Sequence, residues 1–525
     1  MTPDLSAAEP SDLAARAAQK HVVVIGGGIG GLVAARECAK VGMRVTLLES
    51  ADEPGGAIRR IELDGVVVDA GAESYATRGG HVRAFVEELG LADRIVAPQA
   101  GAAWLAGIPG VGAAPLPVGG ILGIPANPFQ DDVRRIIGWS GVWRAYLDRV
   151  RPPLTIGHQL SLGKLVASRM GPKVRDRLVA PVTTGVYSAS PDDVDIDVAA
   201  PGLNAALTRV GSLSGAVQSL RDEAATARAA TASAADKAPG AAVEGLSGGM
   251  SALVDALAAD LGRLDADVRT GVRVRSVRRA GAAWTVEVET APVVDLPAVT
   301  DDEAAVVTEL RAAAVESAAP VVEELAADAV IIATPESTAR ELLSSVVPDL
   351  RKTEAAASPE IEIVTLILDA PALDATPRGT GVLTVPGSHT AKALTHSTAK
   401  WGWVREAAGG RHVVRVSFGA QGEPAATAEL SDADAADLAR REAAALLGVP
   451  LAPAAVLAFH RGRFVQSQPA SIIGSGARRR AARAAVQAVP GLAAVGAWLA
   501  GTGLAQVIPD ARDEADRLRR TLLWD

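Results

Sequence analysis

Glycines at a fixed spacing follow the first apolar run of the chain. Gly26, Gly28 and Gly31 form the pattern G-x-G-x-x-G directly after HVVVI, and Glu49 follows at the distance expected of a ribose-binding acid. Such glycines permit a tight turn, close approach of the backbone to a pyrophosphate, and close helix–strand packing. The Glu49 carboxylate can accept both ribose hydroxyls and would repel a 2′-phosphate. The pattern predicts a dinucleotide site and disfavours NADP.

A strand, a turn, a helix and a second strand must position these residues. HVVVIG is a β-branched strand, GLVAARECAKVG is a helix that ends near Gly42, and RVTLLE is the second strand. A helix that begins at the turn directs its N–H groups and the positive end of its dipole at the phosphates.

The segment SADEPGGAIRR, which follows the second strand, indicates whether the dinucleotide is NAD or FAD. Gly55 and Gly56 let a second loop lie close to the pyrophosphate, and Arg59 or Arg60 can help to neutralise it. This arrangement resembles the FAD-binding start of flavin amine oxidases. GTGLAQVIPDA at 501–511 resembles their last helix, whose N-terminus points at the flavin ring and stabilises the anionic reduced form. The resemblance implies FAD.

The predicted cofactor-binding residues lie in the two glycine turns, at the acid between them, in the predicted strand pair 268–289 and in the C-terminal turn. They are Gly26, Gly27, Gly28, Ile29, Gly30, Gly31, Glu49, Ser50, Gly55, Gly56, Ala57, Val274, Thr502, Gly503 and Leu504.

Four further stretches resemble protoporphyrinogen and coproporphyrinogen III oxidases. They are DGVVVDAGAESYATR (64–78), GGILGIPANP (119–128), PVTTGVYSASPDDVD (181–195) and LSGGMSALVDAL (246–257), and the third is the most specific. The resemblance covers most of the chain and favours the soluble bacterial branch. It implies six-electron oxidation of coproporphyrinogen III to coproporphyrin III, with O2 as acceptor and H2O2 as by-product, in haem biosynthesis. No catalytic side chain is assigned, because flavin N5 carries the chemistry.

The implied substrate is a large flat ring with carboxylate arms, so its pocket needs apolar walls and cations at the rim. The predicted substrate-binding residues are Arg78, for a propionate, with Leu116, Leu122, Ile124 and Tyr187. Transient contacts with other enzymes of haem biosynthesis are compatible with this role, and the sequence does not distinguish a monomer from a homodimer.

One segment departs from the family pattern. FHRGRFVQSQPA (459–470) stands where the family has a tryptophan-containing stretch beside the flavin, and His460 lies near the tryptophan position. The last motif also reads GTGL in place of the commoner GVG(I/L)P. Three alternatives therefore stay open: a protoporphyrinogen IX oxidase, an amine oxidase or carotenoid desaturase of the same fold, and a porphyrin carrier without activity.

Composition excludes several classes of function. The chain has 525 residues and a formal net charge of −9, which argues against nucleic acid as a partner. Cys38 is the only cysteine, so the sequence predicts no disulfide and no metal site, and it fits a reducing, cytoplasmic compartment. The uncharged run 95–130 carries six prolines, which would break a membrane helix, and it is predicted as hairpin and loop.

These observations predict an α/β fold of the flavin amine oxidase type in several parts. A Rossmann-like FAD-binding domain takes residues 21–90, 245–290, 328–345 and 490–525. A mixed-sheet substrate domain takes 91–130 and 346–489, and a helical domain takes 131–225. Residues 1–20 are predicted as a disordered tail, and 221–243 and 291–327 as low-complexity insertions.

Overall fold

A computed structural model describes residues 10–150, 160–231, 243–290, 321–465 and 471–524. The chain divides into two compact units. The first unit comprises Met1–Gly56, Leu253–Ala355 and Arg479–Asp525, and the second comprises Ala57–Ala252 and Ala356–Arg478. Residues 57–90, which the sequence analysis assigned to the FAD-binding domain, fall in the second unit. The three-part division stays a prediction.

The first unit is built on a five-stranded parallel sheet. Its strands, in spatial order, are Asp267–Arg269, Arg44–Leu48, His21–Ile25, Ala329–Ile332 and Leu492–Ala494. The central strands are runs of Val, Ile and Leu that are almost completely buried, as expected of a parallel sheet covered on both faces. Every residue of the helix Ile29–Ala39 is buried, and the long helix Leu504–Trp524 packs against it.

A three-stranded antiparallel sheet completes the strands of this unit: Val272–Ala280, Ala283–Thr290 and Val321–Ala327. The last strand corrects the prediction that 291–327 is an insertion, because Leu325 and Ala327 are buried in the core. Residues 291–320 lie outside the described residues. The other α-helices of the unit within the described residues are Pro10–Gln19, Glu336–Leu343 and Ala497–Ala500, with most of Ser251–Arg263 and most of Ser475–Gln487.

The helix Pro10–Gln19 corrects the prediction of a disordered tail over those residues. Ala17 is fully buried, and Arg16 Nη1 donates to the carbonyl of Leu523 at 3.4 Å. A short alanine-rich segment is marginal as an isolated helix, so contacts with the rest of the unit stabilise it.

The second unit contains a seven-stranded mixed sheet. Its strands, in spatial order, are Val456–Val465, Glu360–Leu368, His412–Phe418, Ala393–His396, Gly381–Thr384, Ala103–Ile108 and Gly112–Pro115. The pair Gly381–Thr384 and Ala103–Ile108 is parallel and the other pairs are antiparallel. The helix Asp432–Leu447 shares a core cluster with this sheet. As predicted, the run 95–130 forms hairpins and loops.

A helical layer in the same unit encloses a large apolar cluster. Its helices are Asp131–Tyr146, Leu162–Met170, Pro172–Val174, Ala180–Tyr187, Ile196–Ala199, Leu203–Val210 and Leu213–Thr231, with a π-helical turn at Arg175–Val179. The last helix extends into the segment 221–243 that was predicted as an insertion, and residues 232–242 lie outside the described residues. The remaining elements are the strands Arg60–Leu63, Val66–Asp69, Tyr75–Ala76, Ile95–Val96, Gly120–Ile121, Ile124–Pro125 and Val243–Leu246, and the helices His81–Glu88, Ser397–Lys400 and Gly402–Ala408.

Candidate functional site

The glycine turn after the first strand is fixed by steric constraints. Gly26 has a φ of +108°, and a Cβ there would lie 2.8 Å from the backbone of Ala333. A Cβ on Gly31 would lie 1.9 Å from the carbonyl oxygen of Gly26. These two positions therefore accept only glycine, as the spacing in the sequence predicts.

Gly28 differs from its neighbours because a Cβ there would meet no atom within 4 Å. It caps the helix Ile29–Ala39 without any side-chain hydrogen bond, so the first N–H groups of the helix remain available to an anion. The second glycine loop lies beside it: the N–H of Gly55 donates to the carbonyl of Gly27 at 2.8 Å, and a Cβ on Gly56 would be 3.3 Å from the Gly28 Cα. The two loops thus offer an anion bare backbone at the N-terminus of the helix.

Glu49 follows the strand Arg44–Leu48 and is held by backbone donors. Its Oε2 accepts the N–H of Gly27 at 2.7 Å, and its Oε1 accepts the N–H of Ala51 at 2.8 Å and the hydroxyl of Ser50 at 3.2 Å. A carboxylate has about four acceptor positions, so lone pairs remain for a ribose diol. The arrangement fits the adenosine half of a dinucleotide.

The C-terminal turn lies in the same unit. Gly503 has a φ of +107° and precedes the helix Leu504–Trp524, while Thr502 and Leu504 are half-buried. A Cβ on Gly30 would come within 3.2 Å of Gly496 and 3.4 Å of Val507, so the glycine turn packs directly against this part of the chain. The helices Ile29–Ala39 and Leu504–Trp524 thus begin close together.

Other predicted cofactor residues have less direct positions. Ile29 is buried in its helix, and Val274 is half-buried on the strand Val272–Ala280, whose first N–H donates to the carbonyl of Glu49 at 2.9 Å. Ala57 falls in the second unit.

Two polar atoms that the sequence analysis missed, Thr334 Oγ1 and Gln506 Oε1, are buried without a hydrogen-bond partner among the described residues, as expected of groups that await a ligand.

In the second unit, the structure brings the predicted substrate residues to one apolar cluster. Leu116, Leu122 and Tyr187 are half-buried against it. Ile124 is fully buried, so its side chain offers no surface to a ligand in this structure. Arg78 is exposed and close enough to Tyr187 that its charge opposes the rise in the pKa of the phenol that burial causes.

A buried charge network in the same unit was not predicted. Glu73 accepts from Lys400 Nζ at 2.6 Å and from Arg415 Nη1 at 3.0 Å. Burial opposes ionisation of Glu73, but the two cations lower its pKa to about 2. Nearby, burial raises the pKa of Asp69 to about 7, although Asp69 accepts the N–H of Met250 at 2.9 Å.

His460 lies on the strand Val456–Val465, opposite Thr365. Its Nδ1 is buried without a hydrogen-bond partner among the described residues, and burial lowers its pKa. Residues 466–470 of the divergent segment lie outside the described residues, so a flavin-side role for His460 stays a prediction.

Among the helices of the described residues, none is both long enough and apolar enough to cross a bilayer. The described residues also contain no group of three or more His, Cys, Asp or Glu side chains that could hold a metal ion. The thiol of Cys38 is buried, which raises its pKa to about 12 and leaves it unreactive.

Comparisons with known proteins agree with this geometry. The model of a family described as flavin containing amine oxidoreductase matches residues 29–519. The coproporphyrinogen III oxidase of Mycobacterium tuberculosis is 29% identical over 493 residues, which are 92% of this chain and 93% of that one. The coproporphyrinogen III oxidase of Propionibacterium freudenreichii is 31% identical over 183 residues, which are 35% of this chain and 34% of that one.

A solved structure from Exiguobacterium sp. 255-15, described as a candidate protoporphyrinogen oxidase, has the same fold. It superposes with a TM-score of 0.74 at 22% identity and covers 95% of this chain and 98% of its own. These matches confirm the predicted fold class and the predicted resemblance.

Proposed function

This chain belongs to the flavin containing amine oxidoreductase family, and we propose that it oxidises coproporphyrinogen III to coproporphyrin III. The observation that carries the proposal is the match over nearly the whole chain to bacterial coproporphyrinogen III oxidases. Leu116, Leu122 and Tyr187 are partly buried against one apolar cluster, and we propose that they contact the ring.

The cofactor is FAD. The family is flavin-containing, and the first unit has the paired glycine loops and the ribose acid of a dinucleotide site. The helix Ile29–Ala39 would hold the diphosphate at its N-terminus, the bare backbone of Gly26–Gly31, Gly55 and Gly56 would lie against it, and Glu49 would hold the ribose. When bound, FAD accepts a hydride from the bridge carbon that is oxidised.

The protein's contribution is position and the exclusion of water. Oxidation of a porphyrinogen to a porphyrin removes six hydrogens and six electrons, and formation of the aromatic ring supplies the driving force. We expect three molecules of O2 to be reduced to three of H2O2 for each porphyrin formed. The apolar side chains would hold the ring, and Arg78 would pair with a propionate at the rim.

The test is an aerobic assay of the FAD-loaded enzyme with coproporphyrinogen III and protoporphyrinogen IX in parallel. Porphyrin fluorescence should grow faster with coproporphyrinogen III, and H2O2 should appear at three equivalents. Growth with protoporphyrinogen IX alone would reassign the substrate. If neither porphyrinogen is oxidised while each binds, the protein is a carrier, and the proposal is wrong.

A further inference from the structure

One partly buried lysine of the second unit, Lys392, has no carboxylate partner among the described residues, unlike similar cations of that unit. Within the part of the chain that the structure describes, Lys400 pairs with Glu73, Arg169 with Asp148 and Arg461 with Glu362. Each of these three cations is at least four-fifths buried and has a carboxylate in contact.

Lys392 precedes the strand Ala393–His396, and its Nζ donates to the hydroxyl of Ser188 at 2.6 Å. No described carboxylate acts on it, and burial alone lowers its pKa to about 8. An ammonium group that is removed from water without a counter-charge is costly, so an anionic ligand would relieve this cost.

The location of Lys392 connects it with the predicted substrate residues. Ser188 ends the helix Ala180–Tyr187 in a left-handed conformation with a φ of 54°, and it follows Tyr187 directly. The carbonyl of Ser188 accepts the N–H of Gln421 at 2.8 Å, and Gln421 Oε1 is a buried acceptor without a partner among the described residues. Lys392 and Gln421 therefore both contact Ser188 at this helix end, and the side-chain oxygen of Gln421 has no hydrogen-bond partner among the described residues.

The backbone around the site is rigid. A Cβ on Gly185 would lie 2.5 Å from Leu383 Cδ2, so the helix packs closely on the strand Gly381–Thr384. The carbonyl of Lys392 accepts the Thr384 hydroxyl at 3.0 Å, and its N–H donates to the carbonyl of Ser417 at 2.9 Å. The backbone of Lys392 is therefore held in place before any ligand binds, which reduces the entropic cost of binding.

We propose that Lys392 binds a propionate carboxylate of the porphyrinogen, in addition to Arg78. This inference rests on the proposed function and adds a substrate-binding residue to it. Coproporphyrinogen III carries four propionates, so it has a carboxylate for each of the two cations.

The experiment compares K392M with the parent enzyme, both loaded with FAD. Methionine keeps the length of the side chain and removes its charge. We expect the KM for coproporphyrinogen III and the Kd for coproporphyrin III to rise about 10- to 100-fold, the loss expected for one charge-assisted hydrogen bond. FAD content should stay unchanged, and K392R should recover most of the affinity.

Lys173 provides a matched control, because its Nζ also donates to a serine hydroxyl, that of Ser140 at 2.7 Å, in an exposed position. K173M should leave KM and Kd unchanged. If K392M keeps the parent KM and Kd, or if it only lowers thermal stability, Lys392 serves the helix end alone and the inference is wrong. If the parent enzyme oxidises no porphyrinogen, the proposed function itself fails, which is a different result.

Discussion

Replacing Gly28 with alanine should weaken FAD binding and leave the protein folded. Gly28 has a φ of −68°, which any residue adopts, and an alanine Cβ would meet no protein atom within 4 Å. The methyl group would instead enter the space that we assign to the diphosphate. The substitution therefore separates the sterics of the turn from the sterics of the ligand.

The size of the effect follows from the close approach of a ligand to the backbone of such a turn. A Cβ on Gly56 would already lie 3.3 Å from the Gly28 Cα, so the two glycine loops are in contact and a diphosphate would lie directly against their bare backbone. Crowding one extra methyl into a packed site costs about 1–3 kcal/mol. The Kd for FAD should therefore rise roughly 5- to 150-fold.

The assay titrates the apoprotein with FAD and follows the quenching of flavin fluorescence, with thermal unfolding of the apoprotein measured in parallel. Gly262→Ala is the matched control, since Gly262 lies in the helix Ser251–Arg263 and its Cβ also meets open space. That change should stabilise the helix by about 0.5–1 kcal/mol and leave the Kd unchanged. Gly31→Ala should prevent correct folding, because its Cβ would lie 1.9 Å from the Gly26 oxygen.

Two results would refute this reasoning. A G28A protein that binds FAD as tightly as the parent would show that the diphosphate lies elsewhere. An apoprotein of G28A that unfolds at a clearly lower temperature would show that the turn itself excludes a side chain.

Three further predictions concern charges. Glu49→Gln keeps an acceptor for the Gly27 N–H but loses the anion, so the Kd for FAD in the same titration should rise about tenfold, and an unchanged value would place the ribose elsewhere. Burial raises the pKa of Asp69 to about 7, so the native state binds more protons than the unfolded state between about pH 4 and 7. The contribution of this group to stability is therefore complete below about pH 4 and is lost as the pH rises to about 7. Asp69→Asn should remove up to about 4 kcal/mol of that pH dependence in urea unfolding, and parallel profiles of variant and parent would contradict it. Glu73 has a lowered pKa, so its contribution is present above its ordinary pKa and lost as pH falls toward 2; Arg415→Met should cost about 3 kcal/mol in urea unfolding at neutral pH, and a loss below about 1 kcal/mol would show that Lys400 suffices.

Local sequence signals predicted several elements of the fold. The spacing of Gly26, Gly28 and Gly31 reflects steric contacts within the turn and with its neighbouring strand. The amphipathic pattern at 248–263 likewise predicted the helix Ser251–Arg263, and the uncharged, proline-rich run 95–130 predicted hairpins. Each of these signals lies within a short stretch of the chain, although Gly26 is also constrained by the distant backbone of Ala333.

Features that depend on distant partners could not be predicted. Val321–Ala327 carries glutamates and exposed valines without a strict alternation, and its burial comes from pairing with Ala283–Thr290. Glu73 meets Arg415 only because the sheet brings them together. The role proposed for Lys392 likewise could not be predicted from the sequence, since it rests on the lack of a carboxylate beside Lys392 among the described residues.

The five-stranded sheet has a consequence for the order in which the protein is made. Its strands His21–Ile25 and Arg44–Leu48 are translated long before Ala329–Ile332 and the edge strand Leu492–Ala494. The glycine turn therefore emerges long before the backbone of Ala333 and the helix Leu504–Trp524 that pack against it. Nascent chains should acquire the cofactor only after the helix Leu504–Trp524 has been translated, and the apolar strands made first need shielding until then.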